Sequence, residues 1–302
     1  MTPEFGPPID IILPTRGVVP LIVSSPHSGQ IYPESMLRAV RLQLGQLRRL
    51  EDAFVDRLLD IAPGLGAPLL HARFARAYVD TNREAFEFDA GLFDEPLPAH
   101  ANPNSAKAKA GLGTIPSRIA GQAIYRAPLS LAEAERRIAL AYWPYHHALQ
   151  RLIDQARARF GQVLLLDCHS MPSFGASGPL GSGGIDFALG DRFSRSCAPS
   201  IIQRTECLLR QKGFRVARNR PYAGGHITAH YGQPEIGVHA LQIEIRRGLY
   251  MDEHTMQPHR ALGGIKTVMR DLLSWLAAFM KEGVPSLRQD ALPITDPAWQ
   301  GS

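Results

Sequence analysis

The sequence contains 302 residues, of which 45% are hydrophobic and 20% are charged, and its formal net charge is +5 at pH 7. This composition is typical of a globular protein with a sizeable core. The three cysteines are too few for a disulfide framework or a zinc module built on thiolates. No uncharged apolar run is long enough to span a bilayer, and the amino-terminal residues do not resemble a signal peptide. We therefore expect a soluble, cytoplasmic protein with no membrane partner.

The basic residues are distributed along the chain, with only short pairs at 48–49, 136–137 and 246–247. Nucleic-acid-binding proteins usually concentrate positive charge on one surface, interleaved with aromatic residues. We therefore expect no nucleic-acid partner. A modest positive charge is equally suited to attracting a small anionic substrate.

Short, largely apolar runs predict six strands that are buried on both faces. In chain order, they cover residues 20–25, 68–72, 75–80, 162–167, 185–189 and 238–245. Apolar residues at helical spacing predict four helices. These helices cover residues 46–62, 131–159, 198–212 and 258–281, and Pro144 is expected to kink or divide the second of them. The alternation predicts an α/β fold with a mixed, mostly parallel sheet and helices on both of its faces.

Two segments lack this periodicity. Residues 84–127 are rich in Ala, Gly and Pro, include Lys107 and Lys109, and are predicted to form a loop-rich insertion or lid. Residues 283–302 are predicted to form an extended carboxyl-terminal tail, to which we assign no function. The rest of the pattern predicts a single catalytic domain over residues 1–282.

Two histidines directly follow strand-like runs, namely His27 and His169. Ligands of open α/β sheets bind beyond the carboxyl ends of the strands, so both histidines lie where a site would form. A catalytic zinc site commonly has three nitrogen or oxygen ligands and one open position for water. Glu51 and Asp52 are both candidates for the third ligand, and the residues alone do not select between them.

Glu244 lies within an apolar strand-like run, where an acid is costly unless it is paired or functional. One interpretation is a general base in a catalytic site. The other is a structural ion pair with Arg246 or Arg247. The sequence pattern supports both interpretations equally.

Asn82 and Arg83 follow another apolar run. A planar guanidinium beside a side-chain amide is well suited to binding a carboxylate, which favours an anionic substrate. The alternative is an arginine that only caps a loop at the end of a strand.

Cys168 directly precedes His169, which raises the alternative of a Cys–His hydrolase. Adjacent residues of an extended chain point to opposite faces, so these two side chains are poorly placed to pair. We therefore expect Cys168 to be a buried packing residue.

Eight short blocks occur in order between residues 20 and 255. They are PHSGQIYP (26–33), EDAFVD (51–56), VDTNR (79–83), YWPYH (142–146), LLDCHSMP (165–172), GGHITAHYG (224–232), GVHALQIEI (237–245) and LYMDE (249–253). Each block alone is weakly specific, whereas the whole set in this order is specific. In these blocks, the chain resembles the N-formylglutamate amidohydrolase family.

The resemblance implies a metal-dependent amidohydrolase with a fold similar to that of the zinc carboxypeptidases. Those enzymes hold zinc with two histidines and one acid, use a glutamate as general base, and bind the substrate carboxylate with an Asn–Arg pair. By similarity, the metal ligands are His27, Asp52 and His169. The general base is Glu244, and Asn82 and Arg83 form the clamp for the substrate carboxylate.

The resemblance also implies a reaction, the hydrolysis of N-formyl-L-glutamate to L-glutamate and formate in histidine degradation. The expected cofactor is Zn²⁺ or another divalent metal, and the expected partner is a small anionic N-acyl amino acid. The alternatives are a hydrolase of another N-acyl amino acid and a non-catalytic metal- or ligand-binding relative. His146, His226 and His230 are candidate substrate-binding donors for the oxyanion. Asp167 or Ser28 is a candidate for orienting a metal ligand.

Overall fold

The computed structural model describes residues 6–15, 17–173 and 184–284. Within them, seven strands form one central sheet. In chain order, the strands are β1 (Ile9–Ile12), β2 (Leu21–Ser25), β3 (Leu69–Ala72), β4 (Val163–Met171), β5 (Phe187–Gly190), β6 (Val216–Arg218) and β7 (Val238–Arg246).

The order of the strands across the sheet is β1-β3-β2-β4-β7-β5-β6. Strand β1 runs antiparallel to β3, and β5 runs antiparallel to β7. The other neighbouring strands are parallel. The predicted mixed, mostly parallel sheet is therefore confirmed.

Helices cover both faces of the sheet, as predicted. The helices are α1 (Glu34–Ala39), α2 (Leu44–Leu47), α3 (Val55–Leu59), α4 (Ala106–Lys109), α5 (Leu131–Arg137), α6 (Trp143–Phe160), α7 (Pro199–Gln211), α8 (His226–Tyr231) and α9 (Leu262–Glu282). Alternate strand residues point to opposite faces, so Leu164 packs in a core with α3, α7 and α9 while Leu165 packs in a second core with α5 and α6.

Five of the six predicted strands are confirmed to within a few residues. The prediction of a strand over 75–80 is wrong, because these residues form a turn in which Tyr78 N donates to Ala75 O. The turn brings Arg76 Nε within 2.9 Å of Asp80 Oδ2, a contact between residues that an extended strand would separate by about 13 Å. The apolar residues of this run are instead buried in the second core.

The prediction of one helix over 46–62 is also wrong. The chain forms α2, a 3₁₀ turn at Arg48–Leu50 and then α3, which follows Phe54 with its left-handed φ of 66°. The helix is interrupted because the Asp52 backbone N–H donates to His27 O at 2.9 Å instead of to a helical carbonyl. The short helices still bury the apolar stripe, so spacing alone could not reveal the break.

The predicted interruption near Pro144 is observed as a π-helical turn, Ile138–Tyr142, which separates α5 from α6. The helices predicted over 198–212 and 258–281 are confirmed as α7 and α9. Among the described residues, every helix is too short or too polar to cross a membrane.

The segment 84–127 contains α4 and a small ribbon formed by Arg118–Ile119 and Gln122–Ala123. Its predicted function as a lid and the single-domain organisation stay predictions. Most of the predicted tail, from residue 285 onward, lies outside the described residues.

Candidate active site

A cavity of about 390 Å³ opens at the carboxyl ends of three neighbouring strands. His27 lies just beyond β2, His169 and Ser170 lie near the end of β4, and Glu244 lies near the end of β7. All four side chains line the cavity. The site therefore forms at the carboxyl ends of the strands, where the positions of His27 and His169 in the sequence predicted it.

Three buried side chains bring potential metal-binding atoms together at the base of this cavity. Asp52 Oδ2 lies 3.0 Å from His169 Nδ1 and 3.4 Å from His27 Nδ1, and the three ligand atoms lie within 4.8 Å of one another. Two imidazole nitrogens and one carboxylate oxygen form a donor set that suits a catalytic zinc ion. The three residues predicted as metal ligands are thus close enough to bind one ion.

Each of the two histidines is held by a second buried carboxylate on its other nitrogen. His27 Nε2 lies 2.8 Å from Asp80 Oδ1, and His169 Nε2 lies 2.9 Å from Asp167 Oδ2. A carboxylate at Nε2 favours the proton there and directs the Nδ1 lone pair into the cluster. His27 Nδ1 is buried and makes no hydrogen bond among the described residues, which is the environment expected of a ligand atom.

Asp52 is oriented by hydrogen bonds to its second oxygen. Oδ1 accepts from Ser170 Oγ at 3.2 Å and from Arg247 Nη2 at 3.1 Å, and Arg247 Nε also donates to Ser170 Oγ. Burial alone would raise the pKa of Asp52, but the hydrogen bond from His169 and the charges of His27 and His169 hold it well below its usual range. Asp52 therefore presents an ionised oxygen to the two histidines.

Glu51, the alternative third ligand, points away from the cluster. Its carboxylate accepts from Tyr32 Oη at 2.7 Å and from Arg48 Nε at 3.2 Å, and burial raises its pKa. Glu51 does not line the cavity. Of the two adjacent acids, the structure brings Asp52 to the cluster and uses Glu51 to anchor the loop that carries it.

Glu244 lies beside the cluster, because β7 pairs in register with β4 and places Glu244 opposite His169. Its Oε1 accepts from Gln242 Nε2 at 2.8 Å, and burial raises the pKa of Glu244 to about 7. Arg246 and Arg247 pair instead with Asp186 and Asp52. Among the described residues Glu244 forms no ion pair, so the structural alternative finds no support.

Asn82 and Arg83 both line the cavity next to the cluster. Asn82 Oδ1 accepts from Ile227 N at the start of α8 and Asn82 Nδ2 lies 3.1 Å from His169 Nε2. A Cβ at Gly225 would lie 2.4 Å from the Asn82 amide, so only glycine allows this approach. Arg83 donates from Nε to Leu112 O and from Nη1 to Asn82 O, both at 2.7 Å. Arg83 therefore combines a loop-capping role with a position in the cavity.

The three histidines predicted as oxyanion donors do not line the cavity. His146 is buried and uses both ring nitrogens, Nε2 donating to Thr81 O at 2.9 Å and Nδ1 accepting from Tyr231 Oη at 2.8 Å. The rings of His226 and His230 stack on each other in the adjoining helix α8. The structure therefore brings none of the three to the candidate metal-binding cluster.

Two further predictions have mixed outcomes. Asp167 contacts His169 as proposed, whereas Ser28 Oγ bonds to Ser25 Oγ at 2.9 Å. Cys168 is buried in the core on the opposite face from the cavity, and burial raises the pKa of its thiol.

Several site residues were missed by sequence reasoning, although some of them carried a signal. They are Asp80, Ser170, Gln242 and Arg247. The acid at the end of the apolar run 75–80 was such a signal, since a buried acid needs a partner. The pairing of Arg247 with Asp52 had no comparable signal in the sequence.

The sheet and the cluster together define an α/β protein with a candidate metal centre of two histidines and one aspartate. Residues 19–251 match the model of the N-formylglutamate amidohydrolase family. An N-formylglutamate deformylase of Pseudomonas aeruginosa is 34% identical over 280 residues, which cover 88% of this chain and 96% of that protein. The chain therefore belongs to the N-formylglutamate amidohydrolase family.

Solved structures agree with this assignment. The crystal structure of N-formylglutamate amidohydrolase from Ralstonia eutropha JMP134 superposes with a TM-score of 0.87 at 36% identity, covering 92% of this chain and 99% of that one. The gene product Atu2144 from Agrobacterium tumefaciens gives a TM-score of 0.61 at 19% identity, covering 90% of this chain and 96% of that one. The second likeness shows a shared fold alone.

Proposed function

We propose that this protein hydrolyses N-formyl-L-glutamate to formate and L-glutamate with a divalent metal ion, Zn²⁺, held by His27, Asp52 and His169. The observation that carries the proposal is the placement of this cluster beside Glu244 in a cavity that Arg83 also lines. Relatives named for this reaction, which are 34% and 36% identical over most of the chain, support the choice of substrate. Participation in histidine degradation and a cytoplasmic location stay predictions.

The ligand set fits the proposed ion in number and chemistry, because it supplies two imidazole nitrogens and one carboxylate and leaves room for water. When bound, Zn²⁺ supplies a Lewis acid that polarises the formyl carbonyl and lowers the pKa of water. Asp80 and Asp167 keep the two imidazoles in the tautomer that offers Nδ1.

Glu244 is the residue that moves the proton in this proposal. Its carboxylate takes a proton from the attacking water and delivers it to the nitrogen of the leaving amine. A pKa of about 7, which burial produces, suits both halves of this transfer at neutral pH. The hydrogen bond from Gln242 fixes the orientation of the Glu244 carboxylate during the transfer.

Arg83 and Asn82 orient the substrate. The Arg83 guanidinium offers a charged, planar donor for a substrate carboxylate at the wall of the cavity. The carbonyls of Asn82 and Leu112 hold it in place and limit its rotamers. Arg83 therefore fixes the position of the formyl amide relative to Glu244.

The test separates chemistry from metal binding. Glu244→Gln is expected to retain the wild-type content of zinc while kcat falls at least about 100-fold on N-formyl-L-glutamate. The control Glu235→Gln changes an exposed acid in the turn Pro234–Ile236 and should leave both quantities unchanged. Metal analysis and a formate-release assay supply the measurements. A Glu244→Gln enzyme with wild-type turnover, or a wild-type protein that neither binds zinc nor releases formate, would contradict the proposal.

A further inference from the structure

The cavity wall carries more positive charge than the candidate metal centre explains. Among the described residues, its cationic side chains are Arg49, Arg76, Arg83, Lys107 and Arg247, and its carboxylates are Asp52 and Glu244. An N-acyl acidic amino acid has two carboxylates at neutral pH. To bind both substrate carboxylates, the cavity needs two cations that no protein carboxylate neutralises.

Two of the cations are already neutralised by buried acids. Arg76 donates from both Nε and Nη2 to Asp80 Oδ2 at 2.9 Å. Arg247 pairs with Asp52 Oδ1 at 3.1 Å. Asp80 orients the candidate ligand His27, and Asp52 is itself a candidate ligand. Because Arg76 and Arg247 are paired with these two acids, neither is available to bind a substrate carboxylate.

Arg83 is only partly compensated. Two of its nitrogens donate to backbone carbonyls, which carry no net charge, and its Nη2 lies 3.6 Å from Asp80 Oδ2, which Arg76 already occupies. Asp80 is therefore shared by two arginines, and it neutralises the charge of Arg83 only in part.

Lys107 forms no ion pair with an acid among the described residues. Its side chain lines the cavity from α4, and its ammonium group makes no hydrogen bond or ion pair within the part of the chain that the structure describes. Partial burial, followed by the positive charges of Arg83 and Arg76, lowers the pKa of Lys107, and the charges of Asp80 and Glu87 offset this effect only in part. An anion bound here would relieve this repulsion between like charges.

The backbone of Leu112 links Lys107 to Arg83. Leu112 N donates to Lys107 O at 2.8 Å, and Leu112 O accepts from Arg83 Nε at 2.7 Å. Helix α4 is further fixed by Ser105, whose Oγ accepts from Ala108 N at 2.9 Å. The Arg83 guanidinium and the backbone that carries Lys107 therefore lie at fixed positions relative to each other, and this arrangement suits two side chains that bind one dicarboxylate.

Arg49 is the other cation without a side-chain partner among the described residues. Its backbone carbonyl accepts from Arg247 Nη1, and Arg247 pairs with Asp52, so the backbone of Arg49 lies on the Asp52 side of the cavity. Lys107 lies instead beside Arg83, on the side proposed to bind the rest of the substrate.

We infer that Lys107 binds the second carboxylate of the substrate and thereby selects N-acyl acidic amino acids over neutral ones. This inference rests on the proposed function and assigns Arg83 to the first carboxylate and Lys107 to the side-chain carboxylate. The segment 84–127 would then supply specificity to a centre that the sheet builds.

The experiment compares N-formyl-L-glutamate with N-formyl-L-glutamine, which has the same shape without the second charge. The zinc-loaded wild-type protein is expected to prefer the glutamate substrate, and Lys107→Met to lose about 10- to 100-fold in kcat/KM on it, chiefly through KM. The same variant should change little on the glutamine substrate. Lys107→Arg should recover most of the preference, while Arg49→Met and Lys109→Met, a matched change on the same helix, should keep it.

The outcomes distinguish the two proposals. If the wild-type protein hydrolyses neither substrate, the proposed function is overturned and this inference falls with it. If it hydrolyses the glutamate substrate and Lys107→Met keeps the wild-type preference, or Arg49→Met abolishes that preference, only the assignment of Lys107 is overturned. Equal wild-type rates on both substrates would overturn the assignment in the same way.

Discussion

Two groups of histidines lie in this protein, and their surroundings differ in one respect. His27 and His169 each contact buried carboxylates through both sides of the ring. His146, His226 and His230 lie among aromatic rings and form no hydrogen bond to a carboxylate within the described residues. The carboxylate partner, rather than the histidine itself, distinguishes a candidate metal ligand from a structural residue.

The difference appears in the pKa values. Although burial lowers the pKa of His169, the charges and hydrogen bonds of Asp167 and Asp52 raise it well above its usual range. Burial lowers the pKa of His146 to about 3 and that of His226 to about 4, and neighbouring histidines add to the effect. The surroundings of His169 therefore favour a positive charge, either on the ring or beside it, whereas those of His146 and His226 disfavour a charged ring.

The largest expected effect comes from deleting one ring of each group. His169→Ala should lose the bound metal and more than about a thousandfold in kcat. His146→Ala should keep the wild-type metal content, because both ring nitrogens of His146 bond away from the cluster, to Thr81 O and Tyr231 Oη. Metal analysis of both purified variants checks the prediction. Equal loss of metal from the two variants would contradict the distinction between the groups.

The next effect comes from removing a carboxylate partner while keeping the ring. Asp167→Asn is expected to weaken zinc binding by about 10- to 100-fold, because the amide no longer fixes the tautomer of His169. Asp186→Asn is the control, since Asp186 pairs with Arg215 and Arg246 outside the cavity. Competition with a zinc chelator measures both affinities. An unchanged affinity in Asp167→Asn would show that the carboxylate does not tune the ligand.

A smaller effect should appear in the pH dependence of stability. The folded pKa of His146 is about 3, below the ordinary value near 6.5, so the unfolded chain binds a proton that the folded protein excludes. Stability therefore falls as pH is lowered from about 6.5 towards 3.

Replacing His146 isolates this contribution. Between pH 7 and 5.5, His146→Gln should lose about 1 kcal/mol less of its free energy of unfolding than the wild-type protein does. His147→Gln, which changes the exposed neighbour, should follow the wild-type slope. Urea unfolding at the two pH values supplies the measurement. Parallel slopes for His146→Gln and the wild type would mean that His146 is not held neutral.

The smallest effect is expected at His230, which is exposed at the end of α8. His230→Gln should change kcat/KM on N-formyl-L-glutamate less than about twofold and the free energy of unfolding by less than about 0.5 kcal/mol. Steady-state kinetics and urea unfolding check both values. A tenfold loss of kcat/KM would favour the substrate-binding role that the sequence predicted.

Much of the sheet was predictable, because strands buried on both faces are read directly from apolar runs such as 162–167 and 238–245. The edge strands β1 and β6 were missed because they are short and partly exposed. The run 75–80 was wrongly predicted to be a strand, because burial against helices produces the same apolar pattern as burial in a sheet.

The candidate metal-binding cluster was predictable for a related reason. His27 follows β2 and His169 lies near the end of β4, parallel pairing brings these strand ends together, and family resemblance singled out Asp52. The contacts of His146 were not predictable, since a histidine that holds a backbone carbonyl and one that binds substrate look alike in sequence. Only the folded structure shows which oxygen atoms lie within hydrogen-bonding distance of the ring nitrogens of His146.

The bond between Arg247 and Asp52 joins residues that are 195 positions apart. Closing so long a loop costs conformational entropy that packing elsewhere must recover, so we expect this bond to form only once the sheet has assembled. A growing chain that stops before β7 holds Asp52 with no guanidinium and His169 with no neighbouring Glu244. Metal uptake is therefore expected to be a late event in the folding of this protein, and carboxyl-terminal truncation before residue 247 to abolish it.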